Sequence, residues 1–266
     1  MQNSSVNIGY STCPNDTFIF CKLANNSEIV THLHDVETLN EWAFKEKLDV
    51  TKLSFHAWLL VQENYELLSC GSALGRGCGP LVISRQDAGD THRRLPACTV
   101  AVPGEFTTAH LLLKLWRPDI TKKIFMPFDK IMDAVESGEA DAGVIIHEGR
   151  FVYQEQGFQC LEDLGDWWEN KTGQPIPLGC IAAHKRLGAA KISEIEQQLK
   201  DSIQHAFDDP DSTKDYVKEH AQELAENVTT EHIKTYVNNF TLDLGDEGRA
   251  AIEALQNMAK EAGIIQ

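Results

Sequence analysis

The segment Gly143-Val-Ile-Ile-His147-Glu148 sets a histidine just past a run of apolar residues. Such a run reads as a buried strand, and in open α/β sheets ligands collect beyond the carboxyl ends of strands. An imidazole exchanges a proton near neutrality, so His147 suits a general base. The bland alternative, a histidine that only hydrogen-bonds a strand end, stays open. His147-Glu148 also begins like the metalloprotease pattern H-E-x-x-H, but the fifth residue is Phe151, so that zinc site is not expected.

Gly104-Glu-Phe-Thr107-Thr108-Ala109 follows a strand and opens a helix. The first N–H groups of a helix lack internal acceptors and favour anions. Thr107 and Thr108 add hydroxyls, and either one also makes an ordinary N-cap. Lys52-Leu53-Ser54-Phe55-His56 ends a third strand and offers an ammonium, a hydroxyl and an imidazole, each weak alone. The stretch from Gly71 to Pro80 has four glycines within nine residues, yet it fits neither the Rossmann nor the P-loop pattern. Tight turns and close backbone approach explain it better. Cys78 within it has no identifiable base. His32 and His34 share a strand face without a legible third ligand, so no metal is expected. Trp167-Trp168 reads as packing.

Alternating strands and helices must hold these groups in place. Strands are expected over 6–10, 29–36, 50–54, 81–84, 99–102, 123–126, 142–146 and 179–183. Helices are expected over 16–23, 56–63 and 129–137, and from Thr107 or Thr108 onward. Thr38-Leu-Asn40-Glu41 fits a capping box with Thr38 as N-cap of another helix. The unbroken apolar run 142–146 is of the kind buried on both faces of a parallel sheet. After a break at Pro175-Ile-Pro177, Ile192, Ile195, Leu199, Ile203 and Phe207 recur at helical spacing, and helices are expected over 216–224, 230–237 and 247–262. Repeated βα units with a helical tail give an α/β class with mostly parallel sheets. Changes of texture place one discontinuous lobe at 1–97 and 178–266 and a small lobe at 98–177. Two lobes joined by two crossovers imply a hinge and a central cleft, a favoured ligand site.

The chain has 266 residues, with 24 Lys and Arg against 40 Asp and Glu, so the formal charge is −16. That field repels phosphate backbones and anionic membranes, which argues against nucleic-acid partners. A small anionic substrate remains compatible, since a local site can be positive on a negative protein. Hydrophobic residues at 42% and charged residues at 24% are ordinary globular values. The seven cysteines are scattered without C-x-x-C, as expected of reduced thiols in a cytoplasmic protein. Neither a signal peptide nor a membrane-spanning run is expected.

These segments resemble one family when taken in order. Ser11-Thr-Cys-Pro-Asn-Asp16-Thr-Phe, Leu33-His-Asp-Val36, Thr51-Lys-Leu-Ser54, the glycine-rich Gly71 to Pro80, Pro103 with Thr107-Thr108-Ala109, and Ile145-Ile-His147-Glu148 with Arg150-Phe151 are similar to 1,4-dihydroxy-6-naphthoate synthases of the futalosine route to menaquinone. The likeness runs from about Val6 to Gly263. It implies a type II periplasmic-binding-protein fold of two α/β lobes about a hinge. It implies a lyase that turns cyclic dehypoxanthinyl futalosine into 1,4-dihydroxy-6-naphthoate and dihydroxyacetone without a metal or organic cofactor. It further implies His147 as the base, and substrate contacts at Asn40, Lys52, Leu53, Ser54, Thr108 and Ala109; Thr107, the other member of the threonine pair, is expected to bind substrate as well. The other readings are chorismate dehydratase, a sister enzyme on the same fold, and a non-catalytic solute-binding protein.

Overall fold

The computed structural model describes residues 5–86, 91–220 and 225–266. The chain runs through β1 (Val6–Tyr10), α1 (Pro14–Phe20), β2 (Ile29–Leu33), α2 (Val36–Phe44), β3 (Val50–Ser54), α3 (Phe55–Val61), β4 (Tyr65–Leu67) and β5 (Ala73–Gly75). It continues with β6 (Leu81–Arg85), α4 (Thr91–Arg94), β7 (Val100–Val102), α5 (Thr108–Trp116), β8 (Lys123–Phe125), α6 (Ile131–Ser137), β9 (Ala142–Ile145), α7 (Gly149–Val152), β10 (Phe158–Asp163) and α8 (Leu164–Thr172). It ends with β11 (Ile176–His184), α9 (Ala189–Asp208), α10 (Lys214–His220), α11 (Glu226–Tyr236), α12 (Asn239–Leu242) and α13 (Gly245–Glu261). Two units result: Met1–Gly75 with Pro177–Arg249, and Arg76–Ile176 with Ala250–Gln266.

The first unit holds a sheet in the order β2-β1-β3-β11-β4, with β5 also on β11. β1 runs parallel to β2 and β3, whereas β11 runs against β3 and β4. α9 carries Ile192, Ile195, Leu199 and Ile203 at intervals of three and four residues. These pack with Val6, Ile8, Ile19 and Ile181 into one core, as an amphipathic stripe should. The second unit holds a sheet in the order β10-β6-β9-β7-β8. β7 is parallel to β8 and β9, while β6 opposes both β9 and β10. Its core gathers Leu81, Ile83, Ala101, Ile131, Val135 and Ile145.

Several expectations are corrected. The sheets are mixed rather than mostly parallel, because β6 and β11 oppose their neighbours. β9 therefore has one parallel and one antiparallel partner. The two units divide the chain at Gly75/Arg76, Ile176/Pro177 and Arg249/Ala250, and β6 pairs within the second sheet. Pro177 stands inside β11 and does not break it; near a strand's start its missing N–H removes little. Asp35, not Thr38, caps α2: its Oδ1 accepts from the backbone N–H of Glu37 and of Thr38, each at 3.0 Å. A carboxylate at that position also opposes the helix dipole, so the helix starts at Val36 and β2 stops at Leu33. Of the helix expected over 216–224, α10 ends at His220, and 221–224 lie outside the described residues. Among the described residues no helix is long and apolar enough to cross a membrane.

Candidate active site

In the first unit the polar residues gather at the carboxyl end of the parallel strands β1 and β3, where backbone groups are free to meet a ligand. Alternation along β3 puts Lys52 and Ser54 on one face and the fully buried Leu53 on the other. Lys52 is buried, and its Nζ donates to Asp16 Oδ1 at 2.7 Å. Asp16 lies on α1 directly after β1. Its Oδ1 also accepts from Asn15 Nδ2 at 2.9 Å, and its Oδ2 accepts from the Ser11 backbone N–H at 3.1 Å and the Ser11 hydroxyl at 2.7 Å.

Asn40 is fully buried on α2 and acts on Ser54 at both ends of its amide. Its Oδ1 accepts from the Ser54 backbone N–H at 2.9 Å, and its Nδ2 donates to Ser54 Oγ at 3.1 Å and to Glu37 Oε2 at 3.0 Å. Ser54 Oγ accepts here, which leaves its O–H as a donor. Ser54 is the N-cap of α3 by position, yet its hydroxyl caps nothing. His56 is buried in the first turn of that helix. His32 and His34 turn elsewhere: His32 Nε2 lies 3.0 Å from Asn7 Oδ1, and the His34 ring packs on Trp42.

In the second unit His147 follows β9 in a left-handed backbone conformation, with φ 56°. It is half-buried, and its ring centroid lies 4.7 Å from that of Phe128. A non-glycine residue held there is costly and clusters at functional sites. Next to it, burial pushes the Glu148 carboxyl above the usual range, with a smaller push from Asp129. Arg150, one turn on, braces this loop. Its guanidinium donates to the Gly79 carbonyl and, at 2.7 Å, to Asp163 Oδ2. Asp163 in turn caps α8 by accepting from the Gly165 N–H at 2.8 Å.

The glycine-rich segment serves this brace. A Cβ on Gly79 would stand 2.3 Å from both N and Cα of Gly165, so two backbones touch where no side chain fits. Cys78 is buried, and burial pushes its thiol up to about 12, which makes it inert. Trp168 is fully buried and donates to the Pro175 carbonyl at 3.0 Å, a packing role.

Thr107 is the cap of α5. Its Oγ1 accepts from the His110 N–H at 3.2 Å and donates to the Gly104 carbonyl at 3.0 Å. Thr108 and Ala109 are buried in the first helical positions. Their N–H groups belong to the turn that has no internal acceptor. Sequence reasoning missed Asp16, Arg150, Asp163 and Phe128 as parts of these groups. For Asp16 a signal existed: it opens a helix just after a strand that neighbours the one bearing Lys52.

Comparison with known proteins adds the following. A family described as menaquinone biosynthesis matches residues 6–261. A Streptomyces coelicolor protein named 1,4-dihydroxy-6-naphthoate synthase is 43% identical, over 100% of this chain and 96% of that protein. A Thermus thermophilus protein of the same name is 42% identical, over 98% of this chain and 96% of that protein. A crystal structure of an Archaeoglobus fulgidus protein superposes with a TM-score of 0.92 at 33% identity, covering 100% of both chains. The alkanesulfonate-binding protein of Xanthomonas axonopodis pv. citri superposes with a TM-score of 0.74 at 14% identity, over 99% of this chain and 94% of that one. That likeness is one of fold, and the fold is that of periplasmic binding proteins.

Proposed function

This chain belongs to the menaquinone-biosynthesis family, and from that premise we propose that it is a carbon–carbon lyase converting cyclic dehypoxanthinyl futalosine into 1,4-dihydroxy-6-naphthoate and dihydroxyacetone. The observation that carries the reading is whole-length identity of 42–43% to two relatives bearing the synthase name. Those names favour the lyase over chorismate dehydration and over passive solute binding.

His147 is the base. Its place after a buried strand and its costly backbone conformation support that role. It removes a proton next to a carbonyl; the electron pair left behind forms a new double bond as the neighbouring carbon–carbon bond breaks, and the departing three-carbon fragment takes that bond's electrons and a proton and leaves as dihydroxyacetone. Aromatisation of the new ring makes the step favourable. Asn40, Lys52, Leu53 and Ser54 in the first unit, and Thr107, Thr108 and Ala109 in the second, bind substrate. Their contributions differ. Lys52 and Ser54 offer donors. Leu53 offers backbone and apolar surface. Asn40 acts by fixing Ser54, and Thr107 by fixing the first turn of α5. The substrate is a small anionic molecule carrying a benzoate-type carboxylate. A cytoplasmic setting fits the seven cysteines, none of which forms a disulfide.

The test is direct. Purified protein is given cyclic dehypoxanthinyl futalosine, and the naphthoate chromophore and dihydroxyacetone are followed together, with chorismate as a parallel substrate. Equimolar formation of both products is expected. Folded protein that leaves the futalosine derivative untouched, or that consumes chorismate instead, overturns the reading.

A further inference from the structure

The geometry points to Asp16 as a positioning residue that holds the Lys52 ammonium ready for the substrate's aromatic carboxylate; the identity of that carboxylate rests on the lyase reading above. Asp16 is fully buried, and its two carboxylate oxygens already take four donors, from Lys52, Asn15 and twice from Ser11. It has little left to offer a substrate, so it acts through its neighbour.

Lys52 is the complementary case. Its side chain is 7% exposed, and of the three N–H donors of an ammonium, Asp16 takes one. Among the described residues of its own unit, no other acceptor is hydrogen-bonded to it. A buried ammonium with donors to spare is costly unless further acceptors meet it, and an incoming carboxylate supplies them. Within the same unit the Ser54 hydroxyl keeps a donor but carries no charge. Asn40 spends its amide on Ser54 and Glu37. Lysine ends a flexible four-carbon stem, so a fixed carboxylate partner decides where its charge sits. Asp16 is that partner, and Ser11 and Asn15 lock it in turn.

The experiment compares wild type with Asp16→Asn, Asp16→Glu and Lys52→Met. Binding of benzoate and of benzamide, its neutral isostere, is measured by calorimetry, alongside kcat, KM and melting temperature. Wild type should prefer benzoate by roughly tenfold or more, the worth of a hydrogen bond between charged groups. Lys52→Met should abolish the preference. Asp16→Glu keeps the charge but shifts the carboxylate by one methylene. It should weaken the preference and raise KM about tenfold while kcat moves less, the mark of a binding rather than a chemical defect. Asp16→Asn should do the same more severely; should it fail to fold, Asp16→Glu decides. Aspartate variants that lose only melting temperature and keep preference and KM would reduce Asp16 to a structural residue. Lys52→Met with its preference intact would place the carboxylate elsewhere. Wild type that shows the benzoate preference without turnover would sink the lyase reading and leave this inference standing. Normal turnover without any preference would sink this inference alone.

Discussion

His147 allows chemistry and backbone strain to be separated in one experiment. Its φ of 56° costs an L residue about 1–2 kcal/mol relative to the right-handed region. Its ring contact with Phe128, at 4.7 Å between centroids, returns about 0.5–1.5 kcal/mol. His147→Gly relieves the first, forfeits the second and adds about 0.5–1 kcal/mol of unfolded-chain entropy, so the sum lies near zero. His147→Asn tolerates the left-handed conformation but loses the ring, so it should sit about 1 kcal/mol below wild type. His147→Val is β-branched and suits that φ worst. In a chain of this size 1 kcal/mol moves the melting temperature by roughly 2–4 °C. Stability should therefore rank glycine near wild type, then asparagine, then valine. Turnover should fall about 100-fold or more in all three, since none can serve as base. Melting curves and a continuous assay of naphthoate formation read the two axes independently. Near-normal kcat in folded His147→Asn would remove His147 from the chemistry. Valine as stable as glycine would refute the strain reasoning.

Gly79→Ala should destabilise by about 1–3 kcal/mol or more, because its Cβ meets the Gly165 backbone at 2.3 Å, which no rotamer change relieves; a melting temperature equal to wild type would show the contact to be soft. His110 carries an acid liability. Burial pushes its imidazole from 6.5 down to about 4, against a smaller upward pull from the Glu105 carbonyl and with downward pushes from Lys114 and Lys123. The unfolded chain takes up this proton near 6.5 and the folded chain only near 4, so stability is lost as pH falls between those values and no further below them. His110→Gln should flatten that window by up to about 1.4 kcal/mol per pH unit, and superimposable acid-unfolding profiles would reject the assignment.

What could be read from the residues was what depends on local pattern. The α9 stripe, the threonine cap of α5 and the histidine past β9 follow from periodicity, hydroxyl chemistry and strand termination. Not every strand was legible. β7 and β8 were expected although each spans three residues, whereas β4 and β5, of the same length, were not, and β10 reads Phe-Gln-Cys-Leu-Glu-Asp without a clean period. Strand direction was not legible either, because β6 and β11 look locally like any apolar strand and their sense depends on where the chain crosses. Within the candidate site, Lys52 and Ser54 stood out by type, but their partners did not. Asp16 lies 36 positions from Lys52 and Asn40 lies 14 from Ser54, so only the sheet order, with β1 beside β3, brings the first pair together. Asp35 outcompeted Thr38 as a cap because a carboxylate at the end of β2 can take two N–H groups at once.

The Asp16–Lys52 pair has a kinetic corollary. Taken together the two charges cancel, so at a distance the pair exerts almost no pull, and the chain as a whole carries −16. If the substrate is the anion proposed above, it should approach without electrostatic steering, against the chain's net negative charge, and meet the ammonium only at contact range. Added salt, which slows capture in steered systems, should here leave the association rate unchanged or raise it.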